Sequence, residues 1–407
     1  MDAVNSLFLM LCTFLVLLMT PSLAMFYAGM VHSKNMLNTI MNCFIVFGVI
    51  TLQWIFVGYS LSFSGDIGGG ICGDFDAIFL SNLDTLGENG VPNILNAVFQ
   101  MMFALIASAI ITGSLVGRIK LGVLVVFLIF WSTFVYDILA HMIWGGGFLQ
   151  MRGGLDFAGG GVVHVSSGVA GLVGALMVGA RREVKPIQTD ANSIPYSFLG
   201  AILLFTGWLG FNSGSAGKVD EIAVNAFIVT ILSASAGYSV WLVLEWLKQR
   251  KPTLLGSLSG LVAGLVGITP GCGYVSVASA IMIGAISAVI CFFGMSFVKS
   301  RLKLDDSLDA FSLHGIGGIW GGLCVGLFAD SRVNPAVGEL GSGLFIGGSA
   351  ELLIEQIFST LVCIALSAVA SYAIFKIISL FTSLRVDERI ENKGLDKFLH
   401  GEEAYSF

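Results

Sequence analysis

Eleven long apolar stretches constrain this 407-residue chain more than any other feature of its sequence. About 20 apolar residues wound as a helix span the hydrocarbon core of a bilayer. The predicted spans are residues 4–30, 38–62, 93–115, 121–144, 159–180, 195–217, 222–247, 254–271, 276–298, 307–329 and 352–380. These runs are continuously apolar rather than alternating, which excludes a porin-like barrel.

The composition agrees with a chain that lies mostly in a lipid bilayer. Hydrophobic residues make up 56% of the sequence and charged residues only 11%, whereas an average soluble protein has about 25% charged residues. The mean hydropathy is +0.90, and the 52 glycines are typical of closely packed membrane helices. We therefore predict an all-α polytopic membrane protein, with a transmembrane domain over residues 1–381 and a polar tail over residues 382–407.

The amino terminus and the cysteines narrow the class further. The first twenty residues lack the basic region of a signal peptide, so we expect a retained first span. The seven cysteines are scattered and form no CxxC motif, which is typical of small buried residues. One disulfide, between Cys72 and Cys272, stays open at this point. The chain has no long basic block, so nucleic acid is not an expected partner.

Basic residues predict how the chain is oriented in the membrane. Seventeen of the 20 lysines and arginines, Lys185 among them, fall in the connections on one side or in the tail. The opposite side carries only Arg152, Lys218 and Arg332. Because basic residues concentrate in cytoplasmic loops, we predict that the amino terminus lies outside and the carboxyl terminus lies in the cytoplasm.

Two segments of the chain share one pattern, in which an aspartate lies eight residues before a histidine and two glycines follow. The first segment contains Asp156, His164, Gly168 and Gly171, and the second contains Asp306, His314, Gly318 and Gly321. The predicted topology makes the fifth and tenth spans cross in opposite directions. This indicates a five-plus-five inverted repeat, residues 4–180 and 195–329, with its site near the bilayer midplane. The last span, 352–380, lies outside the repeat.

His164 and His314 lie deep within predicted spans, and several interpretations compete for them. Ionisable groups at membrane depth are costly and often functional, although a histidine can also fix helix packing through one hydrogen bond. Haem-binding bundles usually use paired axial histidines and zinc usually needs three or four ligands, but no cysteine or carboxylate cluster in fixed spacing accompanies these two histidines, and no catalytic motif is evident. We expect neither a metal nor a cofactor, and no enzyme. A narrow conduction path lined by two neutral imidazoles fits the pattern better than the other interpretations.

Four sequence motifs extend this interpretation to a family. The segments "DFAGGGVVH" (156–164), "GWLGFNSGSA" (207–216), "FYAGM" (26–30) and "DDSLDAFSLHGIGGIWG" (305–321) resemble the ammonium transporter family (Amt/Mep/Rh). The tail "GLDKFLHGEEAY" (394–405) is similar to the Amt branch rather than the Rh branch. Two departures are Gly161, where threonine or serine is more common, and the varied "TPGCGYV" (269–275).

The resemblance implies roles for individual residues of this chain. An outer recruitment site for ammonium would comprise Phe99, Phe103, Trp144 and Ser215. Phe103 and Phe211 would form a stacked aromatic gate. Without the resemblance, these two phenylalanines would be read as ordinary core aromatics. An indole face attracts cations, and a serine hydroxyl accepts a hydrogen bond that ammonium offers and potassium does not.

The resemblance also implies a path and a set of partners. Ammonia would pass His164 and His314, while Asp156 either binds the cation directly or caps its helix, and we favour capping. The fate of the proton stays open. The family is also associated with a homotrimer, the plasma membrane and a cytoplasmic PII-type regulator. Two alternatives are an ammonium sensor with little flux and an Rh-like gas channel, and Trp144 and the tail argue against the latter.

Overall fold

The computed structural model describes residues 1–83, 85–182 and 191–405, and over these residues it is helical without β-strands. The eleven apolar helices are numbered in chain order: α1 (Ala3–Met30), α2 (Ser33–Phe63), α3 (Asn93–Thr112), α4 (Leu121–Met151), α5 (Gly160–Val178), α6 (Ile194–Gly214), α7 (Glu221–Gln249), α8 (Leu254–Ile268), α9 (Val277–Ser300), α10 (Phe311–Phe328) and α11 (Glu351–Ser379). The expected all-α polytopic fold is confirmed.

One helix is shorter than the sequence predicts. Among the described residues ten helices are long and apolar enough to cross a membrane, and α8 has only 15 residues. The predicted span ran to residue 271, but the helix ends at Ile268 and the chain turns there. The Thr269 hydroxyl at this turn accepts a hydrogen bond from Trp208 Nε1, at 2.8 Å. A buried turn needs such partners because lipid supplies none.

The two halves meet first along α1 and α6, the helices that begin each half. Glycines on α6 let the backbones approach: a Cβ at Gly200 would lie 2.4 Å from the Phe26 nitrogen. Small residues of this kind allow membrane helices to pack closely. The first helix of one half therefore seats directly against the first helix of the other.

The halves meet a second time along α5 and α10. A Cβ at Gly168 would lie 2.3 Å from the Gly315 nitrogen, and a Cβ at Gly318 would lie 3.1 Å from His164 Cβ. His164 on α5 thus lies next to Gly318 on α10, and Gly168, later in α5, lies next to Gly315, which comes earlier in α10. The two helices are therefore antiparallel, as an inverted repeat requires.

Both of these helices begin in the same irregular way. Each opens with a π-helical turn, Gly160–Val165 or Phe311–Gly315, that contains the histidine. Each continues as a regular α-helix of 13 residues. Such π-helical turns occur frequently at functional sites.

The bundle has two ends, which we name by their contents. The vestibule end carries Trp144 and the open cavity described below. The tail end carries residues 382–405, which lie over the ends of several helices. There the Val386 nitrogen donates to the Arg118 carbonyl at 2.9 Å, and Asp396 accepts from the Leu37 and Asn38 nitrogens at 2.9 and 2.8 Å.

Buried charges hold the tail end together. Arg118 is 0% exposed and donates to Gly179, Val116, Ser114 and Asp305 carbonyls and to the Ser307 hydroxyl. Burial lowers the pKa of Arg118 to about 10 while Asp305 opposes that shift, so the guanidinium is charged at neutral pH. Lys185, one of the basic residues used to predict orientation, lies outside the described residues, as do residues 406–407 of the tail.

The cysteines carry no disulfide. All seven are free, and Cys272 is buried with its thiol donating to the Thr269 carbonyl. Cys72 is half-buried and faces the Leu61 carbonyl instead. The open Cys72–Cys272 pairing is therefore wrong, since each thiol already has its own backbone acceptor.

Candidate functional site

A cavity of about 700 Å³ opens at the vestibule end. Phe103 of α3, Trp144 of α4 and Ser215, which caps α6, contribute to its wall, as does Asp156. The structure thus brings together three of the four residues predicted for recruitment. The fourth, Phe99, is 3% exposed and packs edge-on against Phe103, with ring centroids 4.9 Å apart. Phe99 therefore supports the wall from behind.

Trp144 is held in place by the segment that carries Asp156. Its indole Nε1 donates to the Asp156 carbonyl oxygen at 2.6 Å. Its ring meets Phe103 edge-on, with centroids 6.1 Å apart and an interplanar angle of 88°. The hydrogen bond at one edge and the aromatic contact at the other fix the orientation of the indole in the cavity wall.

The Asp156 carboxylate serves the start of α5. Oδ1 accepts from the Gly159 and Gly160 nitrogens at 2.8 and 2.7 Å, and Oδ2 accepts from Gly161 and Val162 at 2.7 and 3.3 Å. These donors are among the nitrogens that a helix start leaves unpaired. Gly159 adopts a left-handed conformation, with φ 109°, which lets the chain wrap around the carboxylate.

Two stacked phenyl rings close the floor of the vestibule. Phe103 and Phe211 lie with centroids 4.0 Å apart and an interplanar angle of 19°. Phe103 faces the vestibule, whereas Phe211 lines a second, much smaller space beyond it. The pair therefore separates the open cavity from the interior of the bundle.

The two histidines meet directly below this aromatic pair. Nδ1 of His164 lies 3.2 Å from Nδ1 of His314. One nitrogen must donate and the other accept, so the two rings share a single proton on this edge. Both side chains are buried, and Nε2 of His164 has no hydrogen-bond partner among the described residues.

The space around the histidines is small and otherwise apolar. The volume that the centre of a water molecule could occupy is only about 10 Å³. The wall includes Phe26, Leu204, Trp208, Val262 and Leu313. Such a chamber admits only a small molecule, and it offers that molecule two imidazoles and little other polar surface.

Two lining residues were missed by the sequence analysis. Trp208 stacks on His164, with centroids 5.2 Å apart and an angle of 29°. Its place three residues before Phe211 puts both on one face of α6, a signal that was available in "GWLGF". Gln100 lines the vestibule, and a glutamine one turn before Phe103 in an apolar helix was a second available signal.

The described residues contain no group of three or more histidine, cysteine, aspartate or glutamate side chains that could hold a metal ion. The two histidines also face each other rather than a shared centre. The chemistry that the site offers is thus a cation-attracting aromatic wall, a helix-start carboxylate and a pair of imidazoles in an apolar chamber.

The antiparallel halves, the vestibule and the buried chamber at their interface define a membrane protein of the inverted-repeat transporter class. Comparison with known proteins identifies the family. The chain matches the Ammonium Transporter Family over residues 7–405, and it belongs to that family.

Relatives and solved structures agree with this assignment. An ammonium transporter of Bacillus subtilis is 43% identical over 404 residues and covers 98% of each chain. Ammonium transporter Amt1 of Archaeoglobus fulgidus is 41% identical and covers 99% of each. The crystal structure of Candida albicans Mep2 is similar with a TM-score of 0.88 and 32% identity, covering 96% of this chain and 87% of that one. A structure described as "Sensor Amt Protein" has a TM-score of 0.89 at 26% identity and covers 98% of each chain.

Proposed function

We propose that the protein takes up ammonium at the vestibule and conducts ammonia through the chamber that His164 and His314 line. The observation that carries this proposal is the order in which the elements of the site follow one another across the bundle, in a chain that belongs to this family. Vestibule, stacked Phe103 and Phe211, histidine pair and apolar chamber follow one another through the interface of the two halves.

Recruitment at the vestibule rests on complementary chemistry. An indole face attracts a desolvated cation by up to about 2 kcal/mol, and the Trp144 ring is held in the wall. Ser215 Oγ donates its own hydrogen to the Phe211 carbonyl at 2.9 Å. Its lone pairs therefore remain to accept hydrogen bonds from ammonium, and potassium, which is similar in size, has no proton to offer.

Deprotonation follows from the apolar chamber. A dehydrated cation among Phe26, Leu204 and Val262 would have no charged partner, and burying an unpaired charge costs a great deal of free energy. Ammonia carries no charge and can exchange hydrogen bonds with the imidazoles. We propose that ammonium loses its proton near Asp156 and the aromatic pair, and that the proton either returns or crosses separately. The carboxylate of Asp156 holds the helix start and adds negative charge at that point.

The orientation and surroundings of the protein follow the same proposal. The vestibule end would face outside and the tail end the cytoplasm, with the protein in the plasma membrane, because the basic connections gather at the tail end. A homotrimer with one path in each protomer, and a PII-type partner on the tail end, rest on the family resemblance. Native mass spectrometry in detergent would measure the assembly.

A sensor with little flux is the second candidate function. It is favoured by the likeness to the structure described as "Sensor Amt Protein". The narrow chamber is compatible with a protein that binds ammonium and passes little of it. Only a flux measurement separates the two functions.

Uptake of labelled methylammonium into proteoliposomes tests the proposal. We expect saturable uptake that exceeds that of protein-free vesicles and is inhibited by ammonium. Trp144→Leu should raise the half-saturating concentration, because it removes the cation-attracting face. Ser371→Ala, a buried serine of α11 away from the path, is the matched control. Saturable binding without uptake above the protein-free level would make the protein a sensor.

A further inference from the structure

A second, small cavity lies behind the segment that carries Asp156. Gly154, Leu155 and Asp156 line it on one side, and they also line the vestibule on the other. Residues of α11, Ser359 among them, line the opposite wall. The space open to the centre of a water molecule is about 20 Å³, and one buried water needs at least about 10–15 Å³ on this measure. The cavity therefore has the size of a single water.

Two polar groups in this cavity have unused hydrogen-bonding capacity. Ser359 is 8% exposed, and its Oγ has no hydrogen-bond partner within the part of the chain that the structure describes. Asp156 Oδ2 receives a short bond from the Gly161 nitrogen at 2.7 Å but only a long one from Val162, at 3.3 Å. Buried polar groups are almost always paired, frequently by ordered water.

Gly161 creates the space between these groups. A Cβ at this position would lie 3.3 Å from Asp156 Oδ2, 3.0 Å from Cys363 Sγ and 3.7 Å from Ile143 Cδ1. A hydroxyl-bearing side chain here would thus reach the carboxylate and narrow the cavity.

Thr360 supplies a third polar partner. Its hydroxyl donates to the Gln356 carbonyl at 2.7 Å, so its lone pairs are free to accept. A water in the cavity would donate to Asp156 Oδ2 and to Thr360 Oγ1, and it would accept from Ser359 Oγ. Three hydrogen bonds are typical for a buried water.

We propose that this cavity is a binding site for one ordered water, which links Asp156 to Ser359 across the space that Gly161 leaves open. The proposal rests on the proposed role of Asp156 in transport. Ser359 is then a positioning residue that acts on the carboxylate through the water.

High-resolution structures of the full-length protein test the site directly. Wild type should show a density peak within hydrogen-bond distance of Asp156 Oδ2 and Ser359 Oγ, and Ser359→Ala should lose it. Ser371→Ala is the matched control, because Ser371 is buried, its Oγ is likewise unpaired among the described residues, and it lies about three turns further along α11. A dry or collapsed cavity in wild type would overturn the proposal. A peak that gains anomalous signal on exchange into rubidium would also overturn it, because the occupant would be a cation.

Uptake measurements test the positioning role. We expect Ser359→Ala to lower the rate of methylammonium uptake about tenfold, which corresponds to ~1.4 kcal/mol. Gly161→Ser in that background places a hydroxyl beside Asp156 and should restore uptake to within roughly threefold of wild type. A purely structural defect would not be rescued in this way, so a failed rescue contradicts the role. Because the density peak does not depend on transport, a wild type that shows the water but no uptake would refute the proposed function alone.

Discussion

The segments around Asp156 and Asp306 have the same plan but different surroundings. In each, a buried carboxylate accepts backbone N–H bonds, a π-helical turn places a histidine, and a 13-residue α-helix follows. Asp156 accepts from four backbone nitrogens, three at 2.7–2.8 Å and the fourth, Val162, at a longer 3.3 Å. Asp306 accepts from only two, Phe311 and Ser312, and from the Ser114 hydroxyl at 2.6 Å.

The charges around the two carboxylates differ even more. Asp156 borders an open cavity with an aromatic wall. Near Asp306, Arg118 and Arg181 bind Asp305, and Lys299 binds Asp309 at 2.6 Å. Although burial opposes ionisation, the hydrogen bond from Arg181 and the charge of Arg118 hold the pKa of Asp305 below its usual range. One copy of the repeat thus lies beside an open cavity, whereas the other is covered by basic side chains and the tail.

The largest expected effect comes from replacing the two carboxylates by amides. In Asp156→Asn the amide NH₂ must face two backbone donors, because each carboxylate oxygen accepts two N–H bonds. In Asp306→Asn the amide oxygen can face the backbone nitrogens while NH₂ faces Ser114 Oγ, which can also accept. An unsatisfied buried group costs about 1–3 kcal/mol, so we expect Asp156→Asn to lower methylammonium uptake about a hundredfold and Asp306→Asn less than about tenfold. Equal losses would show that the two carboxylates are equivalent.

A smaller effect is expected from the two glycines that face the partner helix. A Cβ at Gly168 would lie 2.3 and 2.6 Å from the nitrogen and Cα of Gly315, which are backbone atoms and cannot rotate away. At Gly318 the nearest atoms, the Gly160 oxygen and Val165 Cγ2, lie at 3.0 Å. We expect Gly168→Ala to destabilise the protein by about 1–3 kcal/mol, as overpacking does, and Gly318→Ala by less. The thermal midpoint in detergent, followed by size exclusion, measures both. A larger loss in Gly318→Ala would contradict the close approach at Gly168.

The smallest expected effect concerns the tail. It covers the segment around Asp306 and not the segment around Asp156. Burial opposes ionisation of Glu391, but bonds from Arg385 and the Arg182 nitrogen outweigh it and hold its pKa below the usual range. A depressed carboxyl pKa contributes stability above the unfolded value, and this stability is lost as pH falls through the folded value. We expect the hydrogen-exchange protection of residues 385–396, corrected for the pH dependence of the intrinsic exchange rate, to fall on acidification in that range. Glu391→Gln should cause a similar loss of protection at neutral pH.

Glu388 offers the matched control for this prediction. It pairs with Arg182 as well, but its side chain is 66% exposed, against 7% for Glu391. Exposed pairs contribute about 0–1 kcal/mol, so Glu388→Gln should leave the exchange of the tail nearly unchanged. If both variants loosen the tail equally, burial of Glu391 is not what holds it.

Much of the fold was predictable because membrane-spanning helices can be recognised from the apolar composition of single stretches of sequence. The eleven apolar runs and the paired Asp–His–Gly pattern are visible in single stretches of sequence. The end of α8 at Ile268 was not predictable from the sequence, because it depends on a turn at Thr269. The hydroxyl of Thr269 accepts a hydrogen bond from Trp208, which lies on another helix. The π-helical turns at the starts of α5 and α10 were not predicted from the sequence either.

The family resemblance singled out several residues that the structure brings together at the vestibule, but not the residues that only a contact identifies. Phe103, Trp144 and Ser215 meet at the vestibule, whereas Phe99 lies behind the wall. Trp208 was missed although it lies three residues before Phe211 in "GWLGF", because that motif alone does not show that its ring stacks on His164. The docking of Asp396 on the start of α2 joins residues some 360 positions apart, and no local pattern predicts it.

The central claim is that each half contributes one imidazole to a single conduction site. Ammonium uptake and ion currents, recorded on the same proteoliposomes for wild type, His164→Ala, His314→Ala and the double variant, test it most directly. Because the two rings share one hydrogen bond, we predict that each single variant alters uptake or the selectivity for ammonium over potassium. The double variant should be little worse than the more impaired single variant. Unaltered uptake and selectivity in both single variants, or defects that multiply in the double variant, would contradict the account.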